Sequence, residues 1–245
     1  MMSLTEDSFL GGRVIVRQPE KGFRAGLDAV MLAAAVPVHP GEEVLELGAG
    51  AGAASLCLAE RVKGVSIKGV EIDAELAGLA NANAAANGVA AEVSFQAADV
   101  FALPAQLRRP FDHVFCNPPF HGDEGETPPG EARARALMDD GKLPAWLTTG
   151  LKRTVSGGTF TTILRADRLA EALAALTGGG VTVFPLWPRK GEAAKRVIVQ
   201  ARQGSRAALV LRPGLVLHEA DGRYTPEADA VLRQGASLAL DSRGL

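Results

Sequence analysis

Cysteine is scarce in this chain of 245 residues, which holds only Cys57 and Cys116, each inside an apolar segment. Two isolated cysteines exclude the disulfide framework of a small secreted protein, so we expect reduced, buried thiols and a cytoplasmic location. The four histidines are scattered and neither CxxC nor HxxxH occurs, so the sequence predicts no metal site. No apolar run approaches the ~18 residues of a membrane span. The opening MMSLTEDSFLGGR lacks the basic and apolar regions of a signal peptide.

A strong excess of charge is also lacking, since the formal net charge is −2. The charges are nevertheless unevenly distributed. Residues 150–215 contain eleven Lys or Arg and three Asp or Glu, whereas the remainder contains 15 and 25. This asymmetry is compatible with one face that meets a polyanion, and equally with a solvated surface that happens to be basic. Composition alone leaves both interpretations open.

What the chain does have is a regular alternation of strand-like and helical patterns. It is 47% hydrophobic and 22% charged, which is enough apolar material for the core of one large α/β domain. Strand-like segments occupy 43–50, 66–73, 91–99, 111–117, 158–164, 181–187 and 195–201, and helical patterns occupy 53–62, 74–88, 131–138, 143–155, 167–176 and 226–234. Such alternation predicts a parallel, doubly wound sheet with helices on both faces.

A glycine-rich turn joins the first strand of this pattern to its first helix. Gly48, Gly50 and Gly52 permit a tight turn and let a ligand approach backbone N–H groups, as in sheets that bind adenosine-containing cofactors. Glu71 ends the second strand, where a carboxylate can accept hydrogen bonds from ribose hydroxyls. Gly48, Gly50 and Ala53 also match the dinucleotide pattern G-x-G-x-x-[GA], so the turn alone does not choose a cofactor. The glycines could also serve only the turn, and Glu71 only the start of a helix.

Two acidic residues favour S-adenosylmethionine over NAD. Glu46 precedes the first glycine, and the resulting E-x-G-x-G-x-G run resembles motif I of class I methyltransferases. Asp99 ends the third strand, where that class usually contacts the adenine ring. A dehydrogenase fingerprint demands neither acid, although Asp99 could equally be the N-cap of the turn that follows it.

The fourth strand ends abruptly in the run Asn117-Pro118-Pro119-Phe120. Proline cannot donate to a strand ladder, so this run should lie at the carboxyl edge of the sheet, across the crevice from the glycine turn. It resembles the [DNS]-P-P-[YFW] motif of methyltransferases that modify planar NH2 groups. The Asn117 side-chain oxygen and the Pro118 carbonyl oxygen can hold the hydrogens of an exocyclic amine. Pro119 would stiffen the turn and Phe120 would stack on the base, and no general base of tuned pKa is required.

The two motifs are shared by many methyltransferases, and segments towards both ends of the chain indicate one family among them. KGFRAGLDAVMLAAA (21–35) is similar to a K-x-G-T-D-[AG]-[VL]-L-L segment, with Leu27 in place of the usual Thr. Two later segments are similar to C-terminal segments of the family that carries this motif: FPLWPRKGEAAKRVIVQAR and LVLHEADGRYTPEADAVLR. Over nearly its whole length the chain thus resembles the bacterial tRNA1(Val) (adenine(37)-N6)-methyltransferase family. The acid of the first segment, Asp28, could also be a plain N-cap.

The resemblance implies a class I methyltransferase (Rossmann-like) α/β fold, with a mostly parallel seven-stranded sheet and helices on both faces. Within one structural domain, residues 1–40 would form an N-terminal element over the cofactor pocket. Residues 41–202 would form the S-adenosylmethionine-binding core, and 203–245 an extension packed on it. The implied reaction is direct methyl transfer to N6 of adenine 37, next to the anticodon of tRNA. An unpaired anticodon-loop base costs less to extrude than a paired one.

The motifs and the resemblance together assign three groups of site residues. The catalytic group is Asn117, Pro118, Pro119 and Phe120. Cofactor contacts are expected from Glu46, Gly48, Ala49, Gly50, Gly52, Glu71, Ile72, Asp99, Val100, Asn117 and Asp28. Contacts to tRNA phosphates are expected from Arg133, Arg135, Arg189, Lys190, Lys195 and Arg196.

Other functions stay open at this point. NPPF-like runs also occur in rRNA guanine-N2 methyltransferases and in enzymes that methylate a glutamine of release factors. Both usually carry a further domain, whereas about 40 residues precede the glycine turn here, so we expect neither. An NAD-dependent oxidoreductase would leave the NPPF run without a role, and a non-catalytic binding protein would have no need of it. The sequence does not determine the oligomeric state.

Overall fold

The computed structural model describes residues 3–119 and 142–240. Its strands are β1 (Leu4–Phe9), β2 (Val14–Pro19), β3 (Glu43–Leu47), β4 (Ser66–Glu71), β5 (Val93–Ala97), β6 (Phe111–Cys116), β7 (Thr154–Arg165), β8 (Gly179–Arg189), β9 (Arg196–Gln203), β10 (Val210–Leu211) and β11 (Leu215–His218). Its helices are α1 (Leu27–Ala35), α2 (Ala53–Arg61), α3 (Ala74–Ala86), α4 (Leu143–Lys152), α5 (Leu169–Ala175) and α6 (Pro226–Leu232). None of these helices is long and apolar enough to cross a membrane.

Seven strands form the predicted sheet in the order β8-β9-β7-β6-β3-β4-β5. All neighbours from β7 to β5 are parallel, whereas β9 runs antiparallel to both β7 and β8. The mostly parallel α/β sheet is therefore confirmed. The C-terminal segment extends it, because β10 and β11 both pair in parallel with β8.

Two hydrophobic clusters cover the two faces of the sheet. Helices α1, α2 and α6 supply one cluster, together with part of α3, and helices α4 and α5 supply the other. The central strands β3 and β6 carry side chains buried on both faces, which is why their sequences read as continuous apolar runs. Cys57 and Cys116 are buried as free thiols within these layers, as expected.

The parallel strands bring their carboxyl ends to one edge of the sheet, here called the carboxyl edge. Leu47 at the end of β3 pairs with Cys116 at the end of β6, so the glycine turn and Asn117 leave the sheet side by side. Glu71 ends the adjacent strand β4, and Asp99 lies two residues beyond β5. Backbone topology thus gathers four segments that are up to 70 residues apart in sequence.

Helix α3 holds the N-terminal hairpin β1–β2 through two asparagine side chains. Asn83 Oδ1 accepts from the Arg17 N–H at 3.0 Å and its Nδ2 donates to the Arg17 carbonyl at 2.9 Å. Asn87 forms the same pair of bonds with Ile15, at 2.9 and 2.7 Å. Asn83 Nδ2 also donates to the Ala51 carbonyl at 2.9 Å, which links the hairpin to the glycine turn. The position of residues 1–40 over a cofactor stays a prediction.

We expect Asn83→Ala to destabilise the protein by about 2–4 kcal/mol, because three backbone groups, one of them in a buried bond, lose their partner. Urea unfolding measures that loss, and hydrogen exchange should show the loosening confined to residues 14–19. Asn81→Ala is the matched control, since Asn81 makes the same two bonds with Phe95 on the opposite strand edge. Equal loosening of the hairpin in both variants would contradict the assignment.

The structure departs from the predicted elements in two places. The hairpin β1–β2 was not predicted, because β1 (LTEDSF) is polar and the side chains that hold β2 come from a distant part of the chain, Asn83 and Asn87. The helix predicted at 143–155 ends at Lys152, and β7 begins at Thr154 because Thr154 pairs with Phe111 across a bulge. The helix predicted at 131–138 lies outside the described residues.

Candidate active site

The glycine turn is held in one shape by backbone hydrogen bonds to strand β4. The N–H groups of Gly48 and Ala49 both donate to the Val70 carbonyl, each at 2.9 Å. Gly48 and Gly52 have φ of +71° and +87°, a region that L side chains rarely adopt. A Cβ on Gly52 would also lie 2.8 Å from the Phe95 ring. The turn is therefore preorganised, and its shape depends on glycine.

Glu71 is fixed by the same turn. Its Oε2 accepts from the Gly50 N–H at 2.8 Å and its Oε1 accepts from the Asp73 N–H at 3.0 Å. Each carboxylate oxygen can accept a second hydrogen bond, so a ribose hydroxyl pair can still be held. The next residue, Ile72, is 68% exposed, an unusual position for a large apolar side chain. This arrangement suits a nucleoside, with its hydroxyls on Glu71 and its base against Ile72.

Asp99 begins the turn after β5. Its Oδ1 accepts from the Phe101 N–H at 2.8 Å, so it does cap this turn, the alternative left open by the sequence. Val100 is buried, whereas Phe101 is 41% exposed. The structure thus places an exposed aromatic ring next to Asp99, and that ring was not among the predicted contacts.

Asn117 supplies the most informative atom of the site. Its Oδ1 is buried and has no hydrogen-bond partner among the described residues. A buried acceptor without a partner costs about 1–3 kcal/mol, so a donor from a ligand would be bound favourably at this position. Pro118 is buried and Pro119 exposed, and Phe120 lies outside the described residues.

Trp146, on α4, is a residue that the sequence analysis missed. Its ring edge packs on the glycine turn, since a Cβ on Gly48 would lie 2.7 Å from Trp146 Cη2. It meets Phe101 edge to face, with centroids 5.9 Å apart, and Lys142 lies over the Phe101 ring. Trp146 Nε1 is also buried without a partner in the described chain. The sequence did hold one hint of this role. Trp146 is one of only two tryptophans, and it lies near the start of the first described helix after the NPPF run.

Glu46 lies behind the turn, between β3 and α2. It is only 3% exposed, and its Oε2 accepts a hydrogen bond from the Ser55 hydroxyl. Burial raises the pKa of the Glu46 carboxyl to about 8. At neutral pH the carboxyl is therefore mostly protonated and ties β3 to α2.

We expect Glu46→Gln to stabilise the cofactor-free protein at pH 7 by about 3 kcal/mol. The folded state holds the Glu46 proton up to a pKa of about 8, whereas the unfolded carboxyl releases it near the ordinary 4.5. The stability that this group contributes is full below pH 4.5 and is lost as the pH rises towards 8. Thermal unfolding between pH 4 and 8.5 measures the effect, with Glu75→Gln on the exposed side of α3 as control. Parallel pH profiles for wild type and Glu46→Gln would contradict it.

The basic residues expected to bind RNA are partly paired within the chain. Arg189 Nη1 lies 3.3 Å from Glu192, and Arg196 Nε lies 2.9 Å from Asp28. Arg189 ends β8 and Arg196 begins the antiparallel β9, so both are at the carboxyl edge, together with Lys190 and Lys195. Arg133 and Arg135 lie outside the described residues.

Several other basic residues of the 150–215 region lie away from the carboxyl edge. Lys152 and Arg153 precede β7 and Arg202 lies near the end of β9, which places them at the opposite end of the sheet. The region is thus divided between two ends of the sheet, so it does not form one basic face, which was one of the two interpretations that composition left open.

The described residues fit S-adenosylmethionine. The preorganised turn, the Glu71 carboxylate and the exposed Ile72 and Phe101 side chains together match a charged nucleoside, and Asn117 offers an acceptor beside them. Among the described residues, no three His, Cys, Asp or Glu side chains are grouped so as to hold a metal ion.

Known proteins resemble this chain in sequence and in fold. The model of the Methyltransferase small domain family matches residues 25–141. A tRNA1(Val) (adenine(37)-N6)-methyltransferase of Cronobacter sakazakii is 30% identical over 180 residues, 71% of each chain. The enzyme of that name from an Enterobacter species is 32% identical over 164 residues, 66% of each chain. A solved structure, of a predicted O-methyltransferase from Agrobacterium tumefaciens, is 29% identical with a TM-score of 0.73, over 86% of this chain and 98% of that one.

These matches confirm the family, the fold and the cofactor expected from the sequence, and they exclude the oxidoreductase alternative. The glycine turn, Glu71 and Asn117 lie where the sequence predicted them, at the carboxyl edge. The chain is a class I, S-adenosylmethionine-dependent methyltransferase that belongs to the tRNA1(Val) (adenine(37)-N6)-methyltransferase family.

Proposed function

We propose that this protein methylates N6 of an adenine in tRNA, at adenine 37 beside the anticodon. The observation that carries the proposal is the buried, unmatched Oδ1 of Asn117 at the end of β6, next to the glycine turn. An exocyclic amine is the kind of donor that this acceptor lacks. The names of the curated relatives support the choice of base and RNA.

The chain's own groups act on the amine. Its lone pair is delocalised into the ring, which makes it a poor nucleophile. Asn117 Oδ1 and the Pro118 carbonyl oxygen accept its two hydrogens and so direct the lone pair out of the ring plane, in a position set before the base arrives. When bound, S-adenosylmethionine supplies an electrophilic methyl group on its sulfonium. Neither acceptor is a base. This suits an amine, because its nitrogen can attack while still protonated and the resulting cation then releases a proton to water, whereas a hydroxyl must lose its proton as it reacts.

An anticodon-loop adenine fits this site for a physical reason. It is unpaired in the free tRNA, so turning it out of the loop costs less than breaking a base pair. The carboxyl edge carries several cations that can contact the phosphates flanking the base, among them Arg189, Lys190, Lys195 and Arg196.

Methyl transfer to unmodified tRNA tests the proposal. The purified protein is incubated with S-adenosylmethionine labelled in the methyl group and with a tRNA1(Val) transcript, and the product is digested to nucleosides. We expect N6-methyladenosine, and its loss when adenine 37 is replaced by guanine. Labelling of rRNA, of a release factor or of a small hydroxyl compound, with none in tRNA, would keep the methyltransferase and refute the substrate.

A further inference from the structure

One ion pair joins two residues that the sequence assigned to different ligands. Asp28, at the start of α1, was expected to contact the cofactor, and Arg196, at the start of β9, was expected to contact RNA. Their side chains meet at 2.9 Å, from Arg196 Nε to Asp28 Oδ2. Both are partly buried, with side-chain exposures of 37% for Arg196 and 25% for Asp28. The Asp28 carboxylate is thus engaged by a cation of the chain itself.

The planar guanidinium group of Arg196 can bind Asp28 and a second anion at the same time. Arg196 uses its Nε towards Asp28, and its Nη1 makes only a long 3.4 Å contact with the Lys195 carbonyl. Its Nη2 has no hydrogen-bond partner in the described part of the chain. Because the five donors lie in one rigid plane, fixing Nε also fixes the direction of the Nη groups. A second anion can therefore be bound while Asp28 stays in place.

The surroundings of Arg196 favour an anion. Arg165 pairs directly across from it in the β7–β9 ladder, so two guanidinium groups are neighbours at the carboxyl edge. Each has its own acid, Asp167 at 2.6 Å for Arg165 and Asp28 for Arg196. Two like charges at adjacent positions repel each other, and the pair of acids offsets that cost in the free protein.

The strand register gives the separation between Arg196 and Asn117. Cys116 is level with Thr162, which is level with Val199, and Arg196 lies three residues beyond Val199 towards the carboxyl edge. Two strand spacings and about two residues of rise then separate the backbones of Asn117 and Arg196, roughly 12 Å in all. One or two nucleotides of an RNA strand span that distance.

We infer that Asp28 is a positioning residue for Arg196, and that Arg196 binds a backbone phosphate of the nucleic acid one or two nucleotides from the methylated base. This inference rests on the proposed function and assigns to Asp28 a role other than cofactor contact. Arg189 differs, since its acid Glu192 is only three residues away on the same exposed turn.

The test measures the affinity for a tRNA1(Val) transcript at several salt concentrations, and the affinity for S-adenosylmethionine by calorimetry. We expect Arg196→Met to weaken tRNA binding about tenfold and to reduce the slope of log K against log salt by about 0.7–0.9, the value for one phosphate contact. Arg202→Met is the control, because it removes the same charge from the far end of the same strand. Asp28→Ala should weaken tRNA binding several-fold and leave the affinity for S-adenosylmethionine unchanged.

Coupling between the two variants separates a positioning role from a structural one. In the Asp28→Ala background, Arg196→Met should cause little further loss of tRNA affinity. In the otherwise wild-type protein, Arg196→Lys should keep the wild-type salt slope but not the full affinity. A weaker affinity of Asp28→Ala for S-adenosylmethionine would overturn the inference in favour of a cofactor contact. Equal effects of Arg196→Met and Arg202→Met would overturn it in favour of a general charge effect, with the proposed function intact. Failure of the wild-type protein to bind and methylate tRNA would overturn both.

Discussion

Asn117→Ala is expected to lower kcat for methyl transfer about 10²–10³-fold while changing the affinity for S-adenosylmethionine only a few-fold. The substitution removes the one side-chain acceptor aimed at the amine, and the loss of a single preorganised polar group at a reacting centre typically costs that much. Single-turnover transfer under saturating cofactor measures the chemical step, and calorimetry measures cofactor binding separately.

The same variant makes a second, opposite prediction for stability. Asn117 Oδ1 is buried without a partner in the described chain, so its removal should leave the cofactor-free protein as stable as wild type, or more stable by about 1 kcal/mol. Asn117→Asp is the matched control, since it keeps an acceptor and should retain more activity than Ala. If the loss of cofactor affinity accounts for the whole loss of rate, Asn117 is a cofactor contact and not the group that holds the amine.

Gly48→Ala is expected to weaken binding of S-adenosylmethionine at least about tenfold, the second large effect. Gly48 has φ of +71°, where an L side chain costs about 1–2 kcal/mol, and its Cβ would lie 2.7 Å from Trp146 Cη2. The backbone of the turn or the indole ring must therefore shift, and with it the groups that bind the cofactor. Calorimetric titration with S-adenosylmethionine measures the effect.

Gly88→Ala is the control for backbone strain alone. Gly88 follows α3 with φ of +72°, nearly the same as Gly48, but a Cβ there would meet nothing within 4 Å. We expect Gly88→Ala to cost stability and to leave cofactor affinity unchanged. Trp146→Leu should restore part of the affinity in the Gly48→Ala background. Equal cofactor affinity in the Gly48→Ala and wild-type proteins would show that the turn is not the binding element.

Local patterns in the sequence were sufficient for the main elements of the sheet. Strands β3, β4, β5 and β6 have the apolar character of buried parallel strands, and the glycine turn and the Pro-Pro stop follow two of them directly. These signals are local because strand burial, positive φ and the missing proline N–H each act within a few residues. The same locality explains why the carboxyl edge and its cofactor could be predicted before the fold was known.

Three features depended on distant partners and could not be predicted. Asn81 and Asn83 are unfavourable inside a helix, and their side chains, like that of the C-cap Asn87, are explained only by the strands beside α3. Trp146 is defined as a site residue by its contact with Gly48, almost 100 positions earlier. Likewise, the protonated state of Glu46 follows from its burial between β3 and α2.

By itself, then, the sequence determined the fold class, the glycine turn and the Asn117–Phe120 run. Each of these depends on how residues constrain the backbone within a few positions of themselves. Only the tertiary structure decided which side chains are engaged with each other. Asp28 and Arg196 are 168 residues apart and were assigned to different ligands, and the antiparallel course of β9 brings them to 2.9 Å. The sequence shows which residues are charged. Whether a charged side chain is paired within the protein or can bind a ligand depends on its neighbours in space, and these are set only when the chain folds.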